Sequence, residues 1–586
     1  MRIGLIAEGG YPYVSGDARL WCDRLVRGLG QHEFDIYALS RSERQEDEGW
    51  VPLPPQVSRV RTASLWTAED DIWRGGPKGF VRRAGVGDGW GYGRRARRRF
   101  AEHYGELAAV LCAGGAREGS EGAEGASATE ADRFASALYG LAELARDEGG
   151  LVGALRSENA VRALERACRA PGALRTAREA RVPDLLTVAA QLEQALRPLS
   201  LDWYEDDGLG AADLCHATSG GPAALPALLA HHFCDVPLLL TEYGVRLRTH
   251  YLAGAESSPA VRALLAAFHG RLAAEAYARA ALVTAGNGHT RRWQERCGAD
   301  REKLRTVYPG MDAVRFAEVG EGPECADPDT LVWVGRVEPT KDLVSLLHAF
   351  ADVRKEEPKS RLRIVGAPCG PEGEAYLGHC RALAAQLFPD EAEGPHRVGD
   401  NPVSFEEIGA PDVPTLADAY ASGAVTVLSS VVEGFPIGLV EAMFCGRATV
   451  STDVGAVVEV IGGTGLVVPP RNPRALAEAC VALLRDDERR ARLGAAARAR
   501  ALELFAVEQN VAAFHGIYLE IVSRTPVRRV VLDESGDPLP FAVPAEAHVP
   551  GRWTDRTTRL VARGGPPRTP GAPVRATPFP ATEGAR

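Results

Sequence analysis

Residues Leu428–Asp453 read LSSVVEGFPIGLVEAMFCGRATVSTD, and the reading of the whole chain turns on them. A short apolar run, 424–429, predicts a buried strand that enters a turn at Glu433–Gly434–Phe435–Pro436. Pro436 suits the first turn of a helix and Gly446 suits its exit, so a helix is expected from about Ile437 to Gly446. A second apolar strand then leads to Thr452–Asp453. Such a turn presents unpaired backbone N–H groups at a helix N-terminus, a setting that suits an anion. Glu433 and Glu441, with seven residues between them, flank it. An ionised carboxylate only accepts hydrogen bonds, so these two suit hydroxyl groups rather than phosphate. An anion cradle beside hydroxyl acceptors describes a nucleotide-sugar site; two solvated carboxylates on a surface helix are the plain alternative.

Working upstream, LVWVGRVEPTKD (331–342) predicts a strand, a loop with Gly335, Arg336 and Lys341, and a helix opening at Asp342. A guanidinium fork and an ammonium point charge at a helix N-terminus suit a diphosphate. LRIVGAP places Gly366 at the next strand end, where backbone can approach a nucleotide closely. The chain opens on another unit of this kind. RIGLIA (2–7) is a buried strand, EGGYPYVSGD (8–17) a loop, 18–29 an amphipathic helix and 34–39 a second strand. Later, LCHATSGGPAALPALLA puts His216 at a strand end. PLLLTEYGVRLRTHYL gives a strand and then a loop with Glu242, Tyr243, Arg246 and Arg248. Alternating strands and helices of this kind predict parallel sheets with ligands at their C-terminal edges.

Together these motifs resemble glycosyltransferase family 4, of GT-B fold. Its pattern of strand-GR-x4-KD matches 335–342, and its Glu-x7-Glu with Gly and Pro after the first Glu matches Glu433, Gly434, Pro436 and Glu441. The N-terminal loop resembles the Pel-exopolysaccharide branch in Tyr11, Pro12, Tyr13, Val14, Gly16 and Trp21, with Asp17 in place of a glycine. His216, Thr241, Glu242 and Gly244 also match that branch; Tyr243 stands where it has His, and Pro309 in VYPGMD where the family has Asn. The resemblance implies two Rossmann-like domains facing across a cleft, and retaining transfer of a hexosyl group from a nucleotide-diphosphate sugar. By that analogy the UDP-sugar is bound by Gly16, Gly335, Arg336, Lys341, Gly366, Glu433, Gly434, Phe435, Pro436 and Glu441. His216, Glu433, Arg336 and Lys341 do the chemistry. HRVGDNPVSFEEI (396–408) is where the family commonly contacts the base. Tyr11, Tyr13, Glu242 and Tyr243 are candidates for the acceptor side of the cleft; both N-terminal tyrosines read equally well as packing aromatics.

The expected organisation is an N-terminal domain over 1–315, with a mostly helical variable insertion at 50–200 and a flexible loop at 113–130. A C-terminal domain at 331–505, a closing helix at 506–522 that returns to the first domain, and a poorly ordered tail at 523–586 rich in Pro, Arg, Gly and Thr follow. With a net charge of −10, bulk attraction to nucleic acid is not expected. Eleven cysteines without a CxxC pair read as reduced thiols rather than a disulfide frame or zinc site. GxGxxG and GxxxxGK[ST] fingerprints are missing, which disfavours NAD-dependent and P-loop readings. No carboxylate pair stands out as a metal ligand, so no metal and no cofactor beyond the sugar nucleotide is expected. The apolar start is too short for a signal peptide and no run is long enough to span a bilayer, so the expected location is cytoplasmic. The expected partners are the nucleotide sugar and a glycan or small-molecule acceptor, with peripheral membrane or synthase-complex association open. A non-catalytic sugar-nucleotide-binding or assembly protein is the alternative from another class.

Overall fold

The computed structural model describes residues 1–14, 19–66, 92–113, 123–205, 207–253, 257–321, 327–389, 401–411 and 413–525. Its first lobe contains β1 (Arg2–Glu8), α1 (Arg19–Gly28), β2 (Glu33–Ser40), β3 (Val57–Ser64), β4 (Leu214–Ala217), β5 (Leu238–Glu242), β6 (Leu282–Ala285) and β7 (Leu304–Thr306). These strands form one parallel sheet in the order β3-β2-β1-β4-β5-β6-β7. The second lobe contains β8 (Thr330–Val334), α2 (Leu343–Glu356), β9 (Arg361–Val365), β10 (Val403–Glu406), β11 (Val425–Leu428), α3 (Ile437–Phe444), β12 (Ala448–Thr452) and β13 (Leu466–Val468). Its order is β10-β9-β8-β11-β12-β13, again parallel throughout. The expected pair of Rossmann-like sheets is therefore present. In each, the strand order reverses beside the first strand, between β1 and β4 and between β8 and β11, which is where a doubly wound sheet opens a crevice.

The central strands are apolar on both faces because helices cover both. Successive side chains of β8 illustrate this. Leu331 and Trp333 join one buried cluster, while Val332 and Val334 join another on the opposite face.

Two expectations change. The segment 50–200 is not helical from its start, because β3 adds an edge strand beside β2. Its run VSRVRTAS hides the strand, since Arg59 and Arg61 are edge-strand cations that pair with Asp207, the latter at 2.6 Å. The helical part begins at Arg94 and includes Arg94–Cys112, Ala123–Glu148, Glu158–Arg169 and Val182–Leu196. The predicted loop at 113–130 is shorter than expected, because a helix already begins at Ala123; residues 114–122 lie outside the described residues.

The last described helix, α4 (Val507–Arg524), leaves the second lobe and packs on the first. Phe514 meets Trp21 of α1 with ring centroids 5.5 Å apart. Gly28 permits the approach, since a Cβ there would stand 2.5 Å from Val511 Cγ2. The two crossings between lobes are themselves paired: Met311 N–H donates to Phe505 O at 2.8 Å and Val507 N–H to Met311 O at 3.0 Å. Glu459 adds a further joint, accepting from Gly288 N–H at 2.7 Å and from the Tyr308 hydroxyl at 2.9 Å. The predicted tail lies, from residue 526 onward, outside the described residues. Among the described residues no helix is long and apolar enough to cross a membrane.

Candidate functional site

The switch point of the second lobe gathers the C-terminal ends of β8, β11 and β12. After β8 the chain passes Gly335 and the exposed Arg336, makes a single turn at Pro339–Lys341, and enters α2. Asp342 caps that helix, accepting from Ser345 N–H at 3.3 Å from a left-handed backbone conformation. The loop after β11 lies against this turn. Ser429 Oγ donates to Lys341 O at 2.7 Å, and Val431 N–H to Thr340 O at 2.9 Å. The result is an ion pair between Lys341 Nζ and Glu433 Oε2 at 2.7 Å, both side chains about one-seventh exposed (15% and 14%). Ser430 Oγ adds a donor to the same carboxylate oxygen at 3.3 Å. Arg336 has no ion-pair partner among the described residues.

Backbone close to the motif is set by glycine. At Gly455, with φ of +58°, a Cβ would strike the Glu433 carbonyl oxygen, and the next residue, Ala456, donates its N–H to Gly434 O at 3.1 Å. The turn after β12 thus props the Glu433 loop from behind. Gly366 is required for a similar reason, because a Cβ there would collide with the Gly335 carbonyl oxygen.

The other motif residues separate into two groups. Pro436 precedes the first residue of α3, as the sequence predicts. Phe435 faces the inter-lobe joint, its ring centroid 5.7 Å from Phe505 and 6.4 Å from Tyr308. Glu441 accepts from the Tyr420 hydroxyl at 2.9 Å. Burial pushes the Glu441 carboxyl above the usual range, while Tyr420, Arg315 and Arg24 pull it back. A small cavity opens at the ends of β9 and β10, lined by Val337, Ile364, Gly366, Arg381, Phe405 and Glu406 among others. The Arg381 guanidinium lies 5.8 Å from the Phe405 ring centroid, and Arg363 Nε pairs with Glu406 at 2.9 Å. This is the strand-loop expected to meet the base; residues 396–400 of it lie outside the described residues.

The first lobe treats its candidates differently. His216 on β4 is fully buried and both ring nitrogens are engaged, Nδ1 with Tyr518 Oη of α4 and Nε2 with Thr241 Oγ1, each at 2.7 Å. Thr241 Oγ1 continues the chain to Thr284 Oγ1 at 2.7 Å. Burial alone drives the imidazole pKa down to about 3, so the ring is neutral at pH 7. Glu242 is buried under three donors: Tyr277 Oη at 2.6 Å, Gly220 N–H at 3.0 Å and Gln294 Nε2 at 3.1 Å. Burial raises its carboxyl pKa, and those donors oppose the rise. Tyr243 sets its ring edge-on to Trp21 at 5.1 Å, with its hydroxyl 3.5 Å from Asn510 Nδ2. Tyr11 and Tyr13 are buried, at 0% and 2% exposure, beside the end of β1. Gly16 and Asp17 lie outside the described residues.

One inter-lobe contact was not legible as part of the site. Arg248, just beyond β5, reaches across and donates from Nη2 to the Glu433 carbonyl oxygen at 3.2 Å. Burial lowers its pKa and Glu433 restores it in part. The loops here thus carry three cations, Lys341 on the Glu433 carboxylate, Arg248 on the Glu433 backbone and the exposed Arg336 on the loop after β8, against the one carboxylate of Glu433. That excess of fixed positive charge can hold a polyanion without help from the bulk charge of the protein.

Comparison with known proteins agrees with this architecture. Residues 328–486 match the family model of glycosyl transferases group 1. The sucrose-phosphate synthase of Thermosynechococcus elongatus shares the fold, with a TM-score of 0.50 at 17% identity, covering 89% of this chain and 99% of that one. The lobes thus have the GT-B arrangement, and the second carries a group 1 glycosyl transferase domain. Residues 1–302, more than half of the chain, match the model of a domain of unknown function, DUF3492, and the chain belongs to that family. Two D-inositol 3-phosphate glycosyltransferases are similar to part of it. The Streptomyces bingchenggensis protein is 32% identical over 237 residues, 38% of this chain and 49% of the relative. The Kineococcus radiotolerans protein is 33% identical over 223 residues, 35% and 49% respectively. The chain spans about half the length of the curated relatives it matches.

Proposed function

We propose that the chain is a hexosyltransferase of the family 4 type, related to the Pel-exopolysaccharide branch, which uses a UDP-sugar and retains anomeric configuration. The observation that carries this reading is the Lys341–Glu433 pair at the switch point, with the exposed Arg336, which has no ion-pair partner among the described residues, on the loop after β8. In the reaction the bond between the anomeric carbon and the diphosphate oxygen breaks, and its electron pair leaves with the diphosphate. Arg336 and Lys341, joined by Arg248 from the other lobe, oppose the charge that grows there, which favours the transition state over the bound donor. The sugar centre has oxocarbenium character, and the acceptor hydroxyl oxygen adds to it from the face the diphosphate leaves while its proton passes to the departing diphosphate oxygen. Fixed side-chain cations do what a divalent metal does elsewhere, so the reaction proceeds without one. Glu433 accepts from donor-sugar hydroxyls and Glu441 from the ribose. The base docks at the strand ends by Phe405 and Gly366, and His216, with no open nitrogen, positions the first lobe from within. Similarity to two named glycosyltransferases supports glycosyl transfer as the reaction class. Polysaccharide or glycoconjugate synthesis at the cytoplasmic side of a membrane is the setting this chemistry suits.

The test is a thermal-shift panel of nucleotide sugars on the purified chain, since a ligand bound only by the native state raises its melting temperature. Transfer from the best ligand is then followed by NMR of the product anomer. A stabilising UDP-sugar and a product of unchanged anomeric configuration are expected. Binding without turnover would identify a sugar-nucleotide-binding protein instead, and no binding by any donor would remove both readings.

A further inference from the structure

The first lobe carries a charged cluster at its own switch point that donor chemistry does not use. Glu8 ends β1 with its side chain 2% exposed. Arg41, just past β2, lies over Gly9 and places Nη2 and Nε at 3.1 and 3.3 Å from Glu8 Oε1. Arg246, which opens the helix after β5, places Nη1 at 3.2 Å from the same oxygen. Ser219, in the loop after β4, sets its hydroxyl 3.5 Å from Glu8 Oε2 and accepts from Gly221 N–H at 3.1 Å. The four central strands β2, β1, β4 and β5 therefore each send one residue to a single point on the C-terminal edge of the sheet.

Neutralising Glu8 needs one arginine, and the fold supplies two. A guanidinium carries five N–H donors. Glu8 occupies Nε and Nη2 of Arg41 and Nη1 of Arg246, and the other nitrogens have no partner among the described residues. Both side chains are half open, at 50% and 37% exposure, so those donors face solvent. The buried carboxylate then acts as a fixed pedestal that aims two forks at the crevice and leaves one positive charge over. Arginine forks match the planar oxygens of carboxylate and phosphate.

We infer that Glu8, Arg41 and Arg246 form a subsite for an anionic group, a carboxylate or a phosphate, carried by the acceptor. This rests on the proposed glycosyl transfer. Arg248, two residues beyond Arg246, touches the Glu433 loop, so the loop and helix that anchor the anion also border the donor cleft. Phosphate and carboxylate share the fork chemistry, and the probes separate them.

The experiment measures binding of glucose, glucose 6-phosphate and glucuronate to the full chain by calorimetry, in the presence and absence of UDP, for wild type, Arg41→Gln, Arg246→Gln and Arg246→Lys. At least one of the charged sugars is expected to bind on the order of 10-fold or more tighter than glucose, the worth of a hydrogen bond to a charged group. The preference should vanish in both Gln variants and survive in part in Arg246→Lys, with circular dichroism confirming that each variant folds. A phosphate source shows as preference for glucose 6-phosphate, a carboxylate source as preference for glucuronate. Equal binding of all three sugars, or a preference that the Gln variants leave intact, overturns the inference. UDP binding is read separately: a charge preference without any UDP binding keeps this subsite and removes the glycosyl-transfer reading.

Discussion

The two lobes run their strands in the same order around a switch point but load it in different ways. In the second lobe the charged groups meet at the strand ends, largely covered. Lys341 and Glu433 pair directly, and Arg336, exposed on the loop after β8, has no ion-pair partner among the described residues. In the first lobe, the strand-end histidine is consumed by a joint: His216 spends both nitrogens on Tyr518 of α4 and on Thr241. Glu8 and its two arginines meet at the C-terminal edge of the same sheet, with both arginine side chains partly open. A polar residue at a strand end is thus a ligand candidate only if its atoms stay open after the surrounding elements have docked. The first lobe docks the closing helix and sends Arg248 across to the Glu433 loop, and the second supplies Arg336 and Lys341.

The contrast can be broken most directly at the cations. Arg336→Ala and Lys341→Ala are each expected to lower transfer by on the order of 10²–10³, as when one preorganised donor is removed from a developing anion. Initial rates at saturating donor measure it. Restoring part of the Lys341→Ala loss with Glu433→Gln would show that the lysine works mainly against Glu433. Wild-type turnover in both alanine variants would remove the distinction between the lobes.

His216→Ala tests the other half. It should cost about 2–4 kcal/mol of stability, because it opens a cavity and takes the ring partner from the buried Tyr518 hydroxyl, while Thr241 keeps Thr284. Urea melts give the number. A variant that keeps its stability and loses turnover would make the first lobe catalytic in the same sense as the second.

Acid sharpens the same point. Burial holds the imidazoles of His216 and His32 down to about 3. Their folded forms stay neutral while the unfolded chain binds protons near pH 6.5. Their stabilising contribution is therefore intact above about 6.5 and is lost progressively as pH falls from there toward 3. Within that window His216→Asn should flatten the fall by about 1.4 kcal/mol per pH unit at most. Urea midpoints between pH 7 and 4 supply the slope, and parallel curves for the two proteins would mean that His216 is not held neutral.

Tyr243→Phe is expected to do least. Its hydroxyl is 3.5 Å from an Asn510 amide that already donates to Tyr308 O at 2.6 Å, so stability should change by no more than about 0.5 kcal/mol. Donor affinity and turnover should match wild type; a large fall in turnover alone would show that this hydroxyl reaches substrate.

Most of the fold was legible because buried parallel strands read as short unbroken apolar runs between turn residues. β3 was not, since an edge strand tolerates Arg59 and Arg61 where a central one does not. The second lobe's site was legible because GR-x4-KD and Glu-x7-Glu are local patterns at strand ends. What each residue touches was not: Lys341 and Glu433 are 92 positions apart, and Glu8 reaches Arg246 across 238. His216 carried a motif match that pointed to the cleft, yet its surroundings are set by a helix 302 positions later. Local pattern specifies where a residue leaves the sheet, and long-range docking decides which of its atoms remain free.

During synthesis the first lobe leaves the ribosome well before the helix that completes it. Tyr518 follows His216 by 302 residues, roughly 15 to 60 s at ordinary rates of translation. For that interval the groove that α4 will fill is lined by Trp21 and His216 and meets water instead. The nascent chain thus presents a sticky, unfinished surface whose own plug has not yet been made. Order of synthesis becomes a period of vulnerability, one that a chaperone can shield and a neighbouring nascent chain can exploit.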